Sequence, residues 1–380
     1  MKKVGVEVLF LKTGNGNPRN GEGTFLRLKD GRILFAYTEY YGEEWEDNAT
    51  ARISACYSAD EGETWSAPTV LIPKPEDAQN IMSPSLFRLP DGGIGLIFAR
   101  KDMLENGGVS CVPVFVRSND EGCSWSDMRY CGVPLGFYCA VNDCVAVTLQ
   151  GRIYVPLSYH GECRDSYGSM ETPPAPHTPD VRLIYSDDNG NSWQCHDCVL
   201  QTPYADSLGF AEPGIFVHEN GDLWVWMRSG YGHQYHSLSL DGGEHFTPAE
   251  PNFRFTTPDA PMRVKRVGDL VAAVYNPLGY SCIRTDEELW GSPRRTPLVV
   301  TLSRNDGKSL NDRTVLAANG GFRDIVKNTY YVEDDTSDSY CYPAIQETKD
   351  GFLVAYYHSN GTDVCLNTTK MVKIRYDELV

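Results

Sequence analysis

The chain lacks any apolar run approaching the roughly 18 residues that a membrane-spanning helix needs, so it is not expected to insert into a bilayer. It also lacks a sustained helical period of apolar residues, which argues against an architecture built on helices. Positive charge is scarce: 34 Lys and Arg stand against 51 Asp and Glu, a formal net charge of −17. A nucleic-acid partner, whose phosphates demand a basic face, is therefore excluded as an expectation. Any anionic ligand must be met by a local cluster of arginines, because the field of the whole chain opposes it.

Other absences narrow the class further. The opening stretch "MKKVGVEVLFLKTGNGNPRN" carries Glu7 inside a short mixed apolar run and does not read as a secretory leader. As written the chain reads as cytoplasmic; secreted or periplasmic if a leader has been removed. No Pro/Ser-rich linker divides it, so residues 1–380 are taken as one domain. The 12 cysteines are scattered singly, several in strand-like runs (Cys56, Cys144, Cys282, Cys365), as reduced buried thiols would be. "CHDC" (195–198) has no second pair at zinc spacing, and no metal is expected.

What the chain has in plenty is glycine (35), tyrosine (22) and tryptophan (7), a composition that suits strands, turns and sugar-stacking surfaces. One unit recurs six times: an apolar run, a short polar turn usually bearing Gly, and a second apolar run. It reads "FLRLKDGRILFAYT" (25–38), "SLFRLPDGGIGLIFAR" (85–100), "AVTLQGRIYVPLSYH" (146–160), "GIFVHENGDLWVWMRS" (214–229), "MRVKRVGDLVAAVYN" (262–276) and "AIQETKDGFLVAYYHS" (344–359). Each is a β-hairpin by its turn chemistry. Six hairpins about sixty residues apart, with a second hairpin after each of the first five, predict an all-β fold of six four-stranded sheets. That is the pattern of a six-bladed β-propeller. Closure is expected to join Lys2–Phe10 to the last blade, whose final strands fall within "DVCLNTTKMVKIRYD" (363–377).

A second repeat lies between these hairpins. "YSADEGETW" (57–65) has the form Ser-x-Asp-x-Gly-x-x-Trp, and returns as "RSNDEGCSW" (117–125) and "YSDDNGNSW" (185–193). Worn copies follow as "LSLDGGEHF" (238–246) and "LSRNDGKSL" (302–310). Asp and Ser can bond nearby backbone N–H groups, Gly supplies positive φ, and Trp can pack over the turn. Asp60, Asp120, Asp188 and Asp241 are thus read as structural.

This turn resembles the Asp box, or bacterial neuraminidase repeat, of the sialidase superfamily, and the likeness extends over essentially the whole chain. The resemblance implies a tyrosine nucleophile paired with a glutamate base, an aspartate acid/base, and arginines on the carboxylate of a terminal sialic acid. A phenol suits a sugar whose anomeric carbon itself carries a carboxylate, since a carboxylate nucleophile would be repelled. With a pKa of about 10 that phenol needs a base beside it.

Carried over residue by residue, the family pattern falls on the following positions. Asp47, eleven residues before Ser58, stands where the acid/base belongs. Glu212 and Arg228 lie at the two ends of the fourth hairpin, as the base and one arginine should. Arg295 lies eight residues before Ser303, with Arg294 as a close competitor; Tyr342 lies eight before Asp350, with Tyr340 as its competitor. The family's first arginine usually enters the first hairpin as Arg-Ile-Pro. Here that place reads "NPRNGEGTFLRLKDG": Arg19 is the candidate, about two residues early, and "FRLP" with Arg88 falls in the wrong blade. The clamp thus has either three arginines or two. Asn142, Asp143 and Gln234 at hairpin ends are candidate contacts to sugar hydroxyl and N-acyl groups, with Asn80, His160, Tyr231 and Tyr235 on the same rim.

The resemblance implies a retaining exo-α-sialidase acting on a sialylated or other acidic glycan without metal or organic cofactor. An exo-glycosidase for another acidic sugar, and a non-catalytic carbohydrate-binding propeller, are the alternatives.

Overall fold

The structure, a computed structural model, describes residues 1–105, 107–161, 178–203, 209–277, 295–311, 328–335, 338–359 and 366–379. Arg294, Cys282 and Cys365 lie outside the described residues.

Six antiparallel sheets follow one another along the chain. Blade 1 comprises Asn20–Arg27, Ile33–Tyr40, Ala51–Ser58 and Thr69–Ile72. Blade 2 comprises Asn80–Arg88, Ile94–Met103, Val109–Ser118 and Arg129–Tyr130. Blade 4 is Phe210–Val217, Leu223–Ser229, His233–Ser239 and Glu250–Thr256; blade 5 is Arg263–Val267, Leu270–Tyr275, Leu298–Ser303 and Thr329–Glu333. Blade 6 joins Ser339–Thr348, Gly351–Ser359 and Thr368–Arg375 to Val6–Leu11 from the start of the chain, with Phe10 opposite Lys370. The ring is thus closed by hydrogen bonds between the two ends, as the hairpin pattern predicts for a propeller that must protect its edges.

Blade 3 departs from the expected four strands. Its inner strand is broken into Tyr138–Cys139 and Ala146–Val147, both paired to Ile153–Tyr159, with Asp180–Ser186 and Gln194–Leu200 outside them. The break holds Asn142 and Asp143, the latter with φ of 56°.

Continuous apolar runs in the inner strands, such as Ile33–Tyr40 and Leu270–Tyr275, put apolar side chains on both faces of a blade, and these bury against both neighbours. One cluster holds Leu34, Ile53, Leu86 and Phe98 between blades 1 and 2. Equivalent clusters lie between each following pair, and Phe25, Phe35, Ala344 and Leu353 seal blade 6 to blade 1.

The first four copies of the repeated turn share one geometry. Ser58 Oγ donates to Asp60 Oδ1 (2.8 Å) and accepts from Gly62 N–H (2.9 Å), while Asp60 accepts from Thr64 N–H (2.9 Å). Ser118/Asp120, Ser186/Asp188 and Ser239/Asp241 repeat it. Trp65 packs on Phe25 and Phe35, and Trp193 on Phe115 of the preceding blade. Each aspartate therefore ties its own turn while the aromatic staples neighbouring blades, the structural role read from the sequence.

Candidate active site

Four inner strands carry the same irregularity. The ladder register shifts between Gly21 and Thr24, Met82 and Ser85, Ala211 and Gly214, and Cys341 and Ala344. Within these bulges Glu22, Ser83, Glu212 and Tyr342 adopt left-handed φ values of 54°, 56°, 42° and 52°, and Asp143 holds the matching place in blade 3. Such a conformation costs a non-glycine residue roughly 1–2 kcal/mol. In three of the four bulges the next residue is proline (Pro84, Pro213, Pro343), which has no N–H to lose from the ladder. The bulge turns the side chain that would follow the sheet alternation toward the axis instead.

There a cavity of about 370 Å³ opens, lined from all six blades, with Glu22, Asp47, Glu212, Arg228, Arg295 and Tyr342 in its wall. The Tyr342 hydroxyl donates to Glu212 Oε1. Arg228 Nη1 donates to Glu212 Oε2 at 2.5 Å, and its Nε to Asp259 Oδ1 at 2.6 Å. Burial and the neighbouring Glu212 charge push the Tyr342 phenol well above its ordinary value, against the pull of Arg228 and Arg295. The phenol is thus neutral at rest, with an acceptor already in place for its proton.

Arg295 is 8% exposed and makes no ion pair among the described residues. Its Nη1 donates to Cys341 Sγ at 3.1 Å, its guanidinium lies 5.7 Å from the Tyr342 ring centroid, and its buried Nε has no partner. A guanidinium held this way is costly unless an anion joins it. Of the competitors, Tyr340 is packed in the core between blades 5 and 6 against Tyr356, and Arg88 is bound to Glu121 at 2.7 Å.

Asp47 lies on the loop between the second and third strands of blade 1, with its side chain 68% exposed. Asn80 and Lys101 hold the loop through the Asp47 carbonyl, at 2.8 and 2.7 Å. Partial shielding by the pocket wall opposes ionisation of the carboxyl, but Arg19, Lys101 and Arg295 outweigh it and keep the group below the ordinary carboxylate range.

Arg19 sits behind this wall. Its Nη1 donates to Asp47 (2.6 Å) and the Trp45 carbonyl (3.2 Å), its Nε to Tyr357 Oη (2.9 Å) and its Nη2 to Glu22 (3.4 Å). The guanidinium is sandwiched by the rings of Tyr40 and Tyr357. Position 21 cannot carry a side chain without displacing Tyr357, because a Cβ there would meet the Tyr357 ring at 1.7 Å.

Asn142, Asp143 and Gln234 are not in the cavity wall. Asn142 donates to the Gly23 carbonyl (2.7 Å), Asp143 accepts from Thr24 (2.9 Å) and Lys265, and Gln234 donates to the Ala260 carbonyl (2.9 Å). All three tie blades or loops together beneath the site. His160 does line the cavity, whereas Asn80 acts on it through the Asp47 loop. Glu22, Ser83, Lys101 and Asp259 line it too and escaped the sequence reading. The proline after Ser83, matching those after Glu212 and Tyr342, was the available signal for one of them.

Residues 31–355 match the family described as BNR repeat-like domain. The chain belongs to that family. This BNR-repeat protein is similar to Sialidase-4 of Mus musculus, 29% identical over 192 residues, which are 48% of this chain and 36% of that protein. The match thus spans only about a third of the relative's length. Among solved structures, a protein of unknown function from Dyadobacter fermentans matches with a TM-score of 0.71 at 18% identity, over 98% of this chain and 99% of that one. The intramolecular trans-sialidase from Ruminococcus gnavus, solved with oseltamivir carboxylate, matches at 0.69 and 14% identity, over 98% and 97%. These structural likenesses bear on the fold. Among the described residues, no helix is long and apolar enough to cross a membrane, and no cluster of three His, Cys, Asp or Glu side chains could hold a metal ion.

Proposed function

We propose that this protein is a retaining exo-glycosidase of the sialidase type that removes a terminal sialic acid. The observation that carries the reading is the Tyr342–Glu212–Arg228 chain of hydrogen bonds at the cavity wall, with Arg295, which has no carboxylate partner among the described residues, beside it. The substrate carboxylate binds Arg295 and the free face of Arg228 through charge-assisted bonds. Its negative charge offsets the cationic field on Asp47, which then takes up a proton. Asp47 gives that proton to the leaving glycosidic oxygen as the bond to the anomeric carbon breaks. Glu212 accepts the phenol proton while Tyr342 Oη bonds to the anomeric carbon. In the second half Asp47 takes a proton from water, whose oxygen replaces Tyr342, and Glu212 returns the proton to the phenolate. Two displacements at one carbon give retention.

A second reading, a glycosidase for a different acidic sugar, is favoured by one observation. Arg19 is already engaged by Asp47, Glu22 and Tyr357, which leaves two arginines for the carboxylate instead of three. A third, the non-catalytic carbohydrate-binding propeller, leaves the Tyr342–Glu212 pairing without a use.

The deciding experiment is hydrolysis of a fluorogenic α-linked N-acetylneuraminic acid glycoside by wild type and Tyr342→Phe. Release by the wild type alone supports sialidase and nucleophile together. Equal release by both removes Tyr342 from the mechanism. Turnover only of other acidic glycosides selects the second reading, and none across the panel selects the third.

A further inference from the structure

Glu22 occupies in blade 1 the same left-handed bulge position that Glu212 and Tyr342 occupy in blades 4 and 6. It is 4% exposed, yet it forms part of the cavity wall. Its Oε2 accepts from the hydroxyl of Ser83, the bulge residue of blade 2, and its Oε1 accepts a long bond of 3.4 Å from Arg19. A carboxylate has about four acceptor sites, so among the described residues roughly two remain unused on Glu22. In the order of the ring, blade 1 faces blade 4 and blade 2 faces blade 5. Glu22 and Ser83 therefore stand across the cavity from Arg228 and Arg295.

We propose that Glu22, steadied by Ser83, is a specificity-determining residue of this pocket. Its carboxyl accepts hydrogen bonds from hydroxyl or N–H groups of an acidic sugar and leaves the sugar's own carboxylate to Arg228 and Arg295. The proposal depends on the acidic-sugar reading above. Three features support it. Arg19 cannot join the clamp while Asp47, Glu22, Tyr357 and the Trp45 carbonyl engage its donors. No larger residue fits at Gly21, where a Cβ would meet the Tyr357 ring, so that position cannot supply a cation in place of Arg19. A substrate carboxylate placed at the blade 1 end would meet both Glu22 and Asp47 and be repelled, so the two ends of the cavity accept opposite chemistry.

The test is calorimetric binding at pH 8 of three probes to wild type and Glu22→Gln: N-acetylneuraminic acid, glucuronic acid, and tetrahydropyran-2-carboxylate, which has a ring and a carboxylate but no hydroxyl. The variant is expected to bind whichever sugar acid the wild type prefers at least about tenfold more weakly, the effect of losing a charge-assisted bond. Its affinity for tetrahydropyran-2-carboxylate should be unchanged or higher. A parallel loss for both probes, or no loss for either, overturns the proposal. Glu22→Asp, which keeps the charge but shortens the reach, should show the same contrast and serves if the glutamine variant does not fold. Preference for glucuronic acid over N-acetylneuraminic acid would remove the sialidase assignment while leaving the Glu22 contrast readable.

Discussion

Arg19 and Asp47 form a 2.6 Å ion pair in which one partner is sealed and the other open: the arginine side chain is 7% exposed and the aspartate 68%. The sealed member is fixed by two aromatic rings, so only the aspartate is free to leave. A pair of this kind keeps the carboxyl ionised until another anion weakens the field around it, as the acid role proposed for Asp47 requires.

Asp47→Asn tests that role through the leaving group. An aryl glycoside expels a stabilised phenolate and has little need of an acid, whereas a sugar leaving group must be protonated. The variant is expected to lose about 10²–10⁴-fold in kcat on a natural-type disaccharide. Its first step on an aryl glycoside should fall far less. Steady-state rates on the two substrates, with pre-steady-state release of the aryl group, measure the difference, and equal losses would place the acid elsewhere.

Arg295 offers a test in which activity and stability move apart. Its guanidinium is buried and, among the described residues, has no carboxylate partner and leaves Nε unbonded. Arg295→Met keeps much of the length and removes the buried charge. Stability should be unchanged or higher by about 1–3 kcal/mol, while KM for an acidic glycoside rises about 100-fold. Urea denaturation and initial-rate kinetics check the two halves. A large loss of stability would mean that the side chain serves the fold and not a ligand.

The repeated turns should respond in the opposite way. Ser186 is buried and bonds both Asp188 Oδ1 and Gly190 N–H, at 2.9 Å each. Ser186→Ala leaves both without that partner and should cost about 1–3 kcal/mol, seen as a lower Tm. The turn lies outside the cavity wall, so kcat/KM at a temperature where the variant is folded should be unchanged.

The contrast between these sites explains what could be read from the sequence. Hairpins and repeated turns depend on contacts within a few residues, so paired apolar runs joined by Asp-Gly or similar turns disclose them directly. Strand closure through Val6–Leu11 was also legible, because six blades need a partner for the last sheet. Asp47, Glu212, Arg228, Arg295 and Tyr342 were found through resemblance, and the structure brings all five to one cavity. Asn142 and Asp143 lie in the break of the inner strand of blade 3 and Gln234 near the start of His233–Ser239, and their side chains are taken up by bonds beneath the cavity. Glu22, Lys101 and Asp259 were missed because their position depends on bulge register and loop path, which no local pattern encodes. Glu22 in particular is followed by Gly23, without the proline that marks the bulges at Ser83, Glu212 and Tyr342.

Glu22 also makes a prediction about folding. Burial raises its carboxyl to about 7 from an ordinary 4.5, against the opposing influence of Arg19 and the Ser83 hydroxyl. The folded chain therefore holds this proton where the unfolded chain has released it, and folding takes up a proton between those two values. Stability from this group is fully present below about pH 4.5 and declines as pH rises through 7, by at most about 3 kcal/mol. Glu22→Gln cannot ionise, so it removes that decline. The variant should match the wild type near pH 4.5 and exceed it at pH 8, in urea denaturation carried out across the range. The same slope in both proteins would show that another group is responsible. A gain at pH 8 together with weaker sugar binding would mean that the chain retains a buried carboxylate at a cost to its own stability, as a residue kept for its ligand would.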